Sequence, residues 1–406
     1  MIEEKKYIKI VTYGNFPFGG SAANLLRNLS LSIAKQNQNV EVILPTGNYF
    51  GDKIDANTKR NGHYKNIRYR HLGFIHHPKN YFGKFLDIIC GAFLPIIYLY
   101  KESFKNKLDT IILFDTSLTT TLPFLFIKKT LNKKFIVIIP DFYEKPKSRF
   151  ISFPLIQWFN FYVGFKYLVR YSDSFIVASF FLQRYLLDVL KVKKSILVLP
   201  NLIDPDDFLI PENQTHVADK ITIGYAGTPT RKDGVMDLIE SFGILNKKYP
   251  KTHLLIIGDI VGGSSIIPPL KDLALKLGVL ENITFTGLVS FTRIPVLLNS
   301  CDILALTRPN GVFAEAGFPT KLGEYFVCRK PVIITRVGDI PVYFNNEEHV
   351  IIVNPEDPEN IVMGFEKLLN DSVLCDILCN NAYKWMEENL NYKNMSTKLC
   401  EFIERE

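Results

Sequence analysis

The chain has 406 residues, 47% of them hydrophobic and 22% charged, values that exclude a disordered or collagen-like chain and, at this length, call for two domains rather than one core. Its net charge of +7 is unevenly held: residues 1–200 carry 29 Lys and Arg against 13 Asp and Glu, the remainder 19 against 28, so the two halves are expected to meet different partners. Six cysteines, mostly inside apolar runs, argue against a disulfide framework and for a reducing compartment.

The opening MIEEKKYIKIVTY runs from charges straight into a strand and does not read as a signal peptide. Short, β-branched apolar runs then recur at 7–13, 39–44, 67–72, 110–114, 135–139, 174–178 and 195–199, with room for a crossover helix between most of them. Ala22, Leu25, Leu26, Leu29 and Ile33 give the first of these helices an amphipathic spacing. The longest apolar stretch, 88–100, contains Pro95 and has 13 residues, short of the ~20 that span a bilayer. Basic and aromatic residues interleave over 79–107 and 147–170. No nucleic-acid-binding signature accompanies them, and the mixture suits either peripheral contact of a cytoplasmic protein with an anionic membrane, at the inner face of the cell membrane, or a solvated basic face over core helices.

The segment VLPNLIDPDDF (198–208) ends the first series. A second follows, with strands predicted at 221–226, 253–258, 282–287, 302–307, 331–335 and 349–353, and a first helix whose apolar face is Val235, Leu238, Ile239, Phe242 and Leu245. Two β-α-β series predict an α/β protein of two Rossmann-like, doubly wound parallel-sheet domains facing each other across a cleft, with ligands beyond the carboxyl ends of the strands. The expected domains are 1–200 and 201–384, with a closing helix at about 385–406 packing back on the first.

Three strand-to-helix junctions carry unusual residues. In YAGTPTRKDGV (225–235) a Gly-rich turn sets Arg231 and Lys232 beside a helix start, which makes either an anion site or an ordinary turn. It is neither a Walker loop nor GxGxxG. In GFPTKLGEYF (317–326), Pro319 suits the first helical position. Lys321 then lies at the positive end of the helix dipole, a conflict that a bound anion would remove. Glu324, three residues on, shares its face and is able to accept two hydroxyls of a ribose. The third junction, TYGNFPFGGSAAN (12–24), places Gly19 and Gly20 before a helix, where a phosphate or sugar can approach backbone. The Asp residues of DPDD (204–207) favour a turn over a metal, and His76 and His77 lack a third ligand, so no metal site is expected. No GxSxG marks a hydrolase.

At these junctions the sequence resembles the family 4 (group 1) retaining glycosyltransferases, which have the GT-B fold, through 317–341, 223–242, 198–208 and the Gly19-Gly20 turn. The resemblance implies transfer of a UDP- or GDP-linked sugar to a glycan or lipid-linked glycan in cell-surface polysaccharide biosynthesis, without cofactor or metal. It implies an acceptor-binding first domain and a donor-binding second one. Carried over by position, Glu324 grips the donor ribose; the loop Gly317, Phe318, Pro319 and Thr320 meets donor sugar and phosphates; Gly227, Thr228, Arg231, Lys232 and Lys321 surround the diphosphate. Arg308 adds a cation at the cleft mouth, and Gly19, Gly20 and Asp141 face the acceptor. Glu324, Lys232 and Asp141 are the expected catalytic residues. The chain departs from the pattern at Ala316, where a first signature glutamate is usual, at Pro140 in place of histidine, and at Thr228 in place of arginine. A catalytically silent GT-B protein that binds nucleotide sugar or glycan, or a nucleotide-sugar epimerase, are the alternatives.

Overall fold

The computed structural model describes residues 5–47, 59–114, 118–142, 153–209, 220–260 and 264–405. It divides into two units, Met1–Leu202 with Tyr392–Glu406, and Ile203–Asn391. Of the stretches named above, residues 1–4, 147–152 and 406 lie outside the described residues.

Parallel strands need crossovers that cover both sheet faces, so their runs are apolar throughout rather than alternating. Eight strands are described in the first unit: β1 (Tyr7–Thr12), β2 (Asn39–Leu44), β3 (Asn61–Tyr64), β4 (Ile67–His71), β5 (Thr110–Phe114), β6 (Lys134–Ile139), β7 (Ser174–Val177) and β8 (Ile196–Val198), in the order β3-β4-β2-β1-β5-β6-β7-β8. Every pairing is parallel except that of β3 with β4. Strand β3 was not expected from its sequence, NGHY, which has no β-branched residue. A turn at Lys65, with φ +50, folds it back so that Tyr64 pairs with Ile67.

One face of this sheet carries α1 (Ser21–Lys35) and the closing helix Tyr392–Arg405, packed on Ile8, Ile10, Val40 and Val42. Ala23, not Ala22, turns inward, and α1 is buried nearly all round because the closing helix covers its second side. The other face carries α2 (Tyr81–Phe104), α3 (Leu118–Leu131) and α4 (Phe153–Tyr171), packed on Val11, Ile43, Ile111 and Val137.

The second unit holds β9 (Ile221–Ala226), β10 (Thr252–Ile257), β11 (Ile283–Phe285), β12 (Ile303–Leu306), β13 (Val332–Thr335) and β14 (Ile351–Val353), all parallel, in the order β11-β10-β9-β12-β13-β14. Helix α5 (Val235–Lys248) buries Val235, Leu238, Ile239, Phe242 and Leu245 completely, as its spacing requires. Two short helices matter for the site, α6 (Val312–Ala316) and α7 (Thr320–Val327).

The closing segment is two helices rather than one. Ser372–Asn389 stays with the second unit; the break follows because buried Leu390 gives its carbonyl to the Ile203 N–H (2.8 Å) and Asn391 bridges Ile203. The chain thus passes between units at Leu202/Ile203 and again at Asn391/Tyr392.

Candidate functional site

Strand β9 lies between β10 and β12, so the crossovers on its two sides diverge at its carboxyl end. Such a switch point is where open α/β sheets leave room for a ligand. The two loops that leave it touch backbone to backbone. Gly234, with φ +68, lies so close to the loop after β12 that an added Cβ would come within 1.7 Å of the Thr307 carbonyl oxygen, and Thr307 Oγ1 donates to the Gly234 carbonyl (2.8 Å). This contact sets Asp233 beside Arg308.

Asp233 is the centre of the arrangement. Its buried carboxylate accepts from Lys321 Nζ (2.8 Å) and from the Tyr225 hydroxyl (2.8 Å), with Arg308 Nε 3.9 Å from its other oxygen. Burial alone would raise its pKa, but the charge and hydrogen bond of Lys321, with Arg308 and the Tyr225 hydroxyl, hold it below the ordinary carboxylate value. Burial and the same carboxylate push the Tyr225 hydroxyl well up, so it remains a proton donor. Lys321 Nζ also stands 5.6 Å from the centre of the Tyr225 ring. To reach Asp233 the lysine crosses Gly227: at φ +142, a Cβ there would lie 2.0 Å from Lys321 Cε.

Several expectations change accordingly. The lysine at the start of α7, for which the sequence called for a bound anion, is neutralised by a carboxylate of the protein itself, 88 positions away. Gly227 does not offer its N–H to a ligand, since that group donates to Ile257 O (2.8 Å); the N–H groups of Thr230, Asp233 and Gly234 are likewise engaged by protein carbonyls. Thr228 gives its carbonyl to the Tyr225 hydroxyl (2.9 Å). Arg308, expected as an exposed cation, is instead a brace, 4% exposed, whose guanidinium donates to Gly317 O (3.0 Å) and Phe313 O (2.9 Å). It clamps the turn between α6 and α7. Pro319 occupies the capping position and Thr320 the first helical one, a shift of one residue.

Arg231 and Lys232 are exposed beside this cluster, with Lys232 Nζ 5.2 Å from the centre of the Phe313 ring. Glu324 is half-buried, one turn into α7. Phe318 is buried against Tyr343 and Trp385, so only its backbone can face a ligand. Ala316 is fully buried, and the carboxylate of Glu315 is directed to the Gly338 N–H (3.4 Å) rather than into the vacant signature position.

In the first unit, Gly20 caps α1 beyond the carboxyl end of β1, with open space where a side chain would stand, while a Cβ on Gly19 would press on Asn15 and Ala23 at 3.0 Å. Asp141 follows β6 on the same edge of the sheet. Asp204 accepts from the Asp206 N–H (3.1 Å) as a turn residue, and His77 pairs with buried Asp87 (3.0 Å). Among the described residues, no group of three or more His, Cys, Asp or Glu is placed to hold a metal. The residues that sequence reasoning missed are Asp233 and Tyr225. The only local signal was an acid wedged between two cations and a glycine.

Residues 206–385, which lie within the second unit, match the family described as glycosyl transferases group 1. An uncharacterized glycosyltransferase of Methanocaldococcus jannaschii is 24% identical over 181 residues, 44% of this chain and 43% of that protein. The capsular polysaccharide biosynthesis glycosyltransferase CapM of Staphylococcus aureus is 24% identical over 253 residues, 56% of this chain and 63% of its own. The chain thus spans less than two thirds of either relative. The structure of Anabaena Alr3699/HepE in complex with UDP superposes with a TM-score of 0.71 at 14% identity, covering 99% of this chain and 100% of that one. The fold class is GT-B.

Proposed function

We propose that the protein is a glycosyltransferase that moves a sugar from a nucleotide-sugar donor to a glycan or lipid-linked glycan, with retention at the anomeric carbon, in the assembly of a cell-surface polysaccharide or glycolipid. The observation that carries the reading is the Lys321–Asp233 pair at the β9/β12 switch point, a cation held at a helix N-terminus by an internal carboxylate. A helix N-terminus favours anions and disfavours cations, so a donor diphosphate arriving there competes with Asp233 for the lysine. It shares or displaces the contact to Asp233. The similarity to CapM supports the polysaccharide setting, and the UDP held by Alr3699/HepE supports a nucleotide donor.

In this reading Lys321 and Lys232 take up the charge that gathers on the departing diphosphate, stabilising the transition state more than the ground state. Glu324 accepts the ribose hydroxyls. The leaving phosphate takes the acceptor proton, and Asp141 orients the acceptor. Arg308 acts from behind, by fixing the carbonyls of Phe313 and Gly317 that set the entry to α7. Turnover of a panel of nucleotide sugars with lipid-linked acceptors, with the anomeric configuration of the product read by NMR, tests the reaction. An inverted product would contradict the mechanism, and loss of nucleotide affinity in Glu324→Ala is the expected sign of the ribose contact.

One observation favours a second reading. Buried Ala316, and the Glu315 carboxylate engaged by the Gly338 N–H, leave the first signature carboxylate without a substitute, as a silent partner that binds donor without transferring it would allow. Donor binding with no transfer to any acceptor in the panel would decide for that reading.

A further inference from the structure

Helix α2 is 24 residues long and apolar enough to cross a membrane by length and composition, because its apolar character begins at Tyr81 rather than at residue 88. Its position in the first unit forbids that path. The stripe Asp87, Gly91, Pro95, Leu99 and Glu102 is buried. Asp87 accepts from the Gly47 N–H (3.1 Å), Tyr13 donates to Gly91 O (2.8 Å), and Glu102 accepts from Lys9 (3.0 Å) at the opposite end. The helix is thus fixed to the sheet along its whole length, and crossing a bilayer would strip buried carboxylates of their partners.

The opposite side of α2 is apolar and exposed: Tyr81 is 93% exposed, Phe85 59%, Phe93 60%, Ile97 64% and Phe104 85%. On α3, which packs beside it, Phe126 continues the surface, 54% exposed, with its ring 6.4 Å from that of Tyr100. A contiguous face of this kind is beyond the scattered apolar exposure of ordinary surfaces. The charges around it have one sign outward. Between residues 79 and 107 the acids are Asp87 and Glu102, both buried, whereas Lys79, Lys84, Lys101, Lys105 and Lys107 are all exposed.

We propose that this face of α2 docks on an anionic lipid bilayer, the helix lying in the membrane plane with its aromatic and aliphatic side chains at the boundary of headgroups and acyl chains and its lysines among the phosphates. Aromatic residues favour that boundary, and each Lys near an anionic surface adds about 1 kcal/mol of attraction. A second copy of the chain is a poorer occupant, because it would bring five like-charged lysines against their own kind. The inference is independent of the reaction proposed above.

Flotation of the full chain with vesicles of phosphatidylcholine alone, and of equal parts phosphatidylcholine and phosphatidylglycerol, tests it. The expected result is flotation with the anionic vesicles that weakens as salt is raised. The double substitution Phe93→Asp with Ile97→Asp should lower the partition by about tenfold or more, and Lys101→Glu with Lys105→Glu should remove the preference for anionic lipid. All four positions are exposed, and an unchanged thermal melt confirms that the variants are folded. Failure to float with anionic vesicles at low salt overturns the proposal, as does flotation undiminished in the aspartate variant. A concentration-dependent dimer abolished by the same aspartates, without vesicle binding, would give the face to a second copy and overturn it too.

Discussion

Lys9 and Lys321 both sit in ion-pair clusters, and the clusters are built differently. In the first unit Lys9, on the central strand β1, is held by two carboxylates, Glu41 (2.5 Å) and Glu102 (3.0 Å), and Glu41 is further bound by the Tyr98 hydroxyl (2.9 Å) and Arg70 (3.3 Å). Its side chain is 6% exposed. In the second unit Lys321 has one carboxylate, is 20% exposed, and stands at a helix start beyond the carboxyl ends of the strands. Burial would raise the Glu41 pKa, yet Lys9, Tyr98 and Arg70 hold it below the usual value, the same balance found at Asp233. The difference lies in saturation: the first cluster ties α2 to the sheet, whereas the second leaves its cation partly exposed at the start of α7.

The largest effect that would sharpen this contrast is expected from Lys9→Met. It removes the cation shared by two buried carboxylates and should cost about 3–5 kcal/mol of stability, read by urea or thermal unfolding, with the nucleotide affinity of the folded fraction unchanged. Next comes Gly227→Ala. The strained φ and the clash with Lys321 should cost about 1–3 kcal/mol, and because the lysine must move, affinity for nucleotide diphosphates should fall together with stability in calorimetric titrations. Asp233→Asn is expected to separate the two readouts: the melting temperature falls by a few degrees, while diphosphate binding tightens severalfold as Lys321 loses its internal competitor. If both readouts fall together, Asp233 positions the lysine rather than restraining it.

The smallest effect is the pH dependence. The folded pKa of Asp233 is depressed, so its contribution to stability is full above the unfolded value of about 4 and is lost as pH falls through the lower folded value. In Asp233→Asn the acid limb of the stability profile should flatten accordingly, in thermal melts taken across that range.

The parallel strands were legible in the sequence because a strand buried on both faces is apolar along most of its length, as ITIGYA and TIILF are. Strand β3 was not, because an edge strand such as NGHY needs no apolar face and depends on the turn at Lys65. The site was legible as far as local chemistry reaches. The Gly-rich turn and the lysine at the start of α7 stand out in the sequence. That they meet does not, since Lys321 reaches Asp233 across 88 residues, and helical spacing offered a nearer partner in Glu324. The role of Arg308 was misjudged for a related reason. An arginine after a strand reads as a surface cation until the carbonyls of Phe313 and Gly317 are seen to enclose it.

Calorimetric titration of UDP, GDP and ADP into the protein and into Lys321→Met tests the central claim most directly, that a diphosphate is seated at the β9/β12 switch point by this lysine. The account predicts saturable binding of at least one of the three and a loss of about 1.5–3 kcal/mol in the variant. Equal affinity in the two proteins would contradict it.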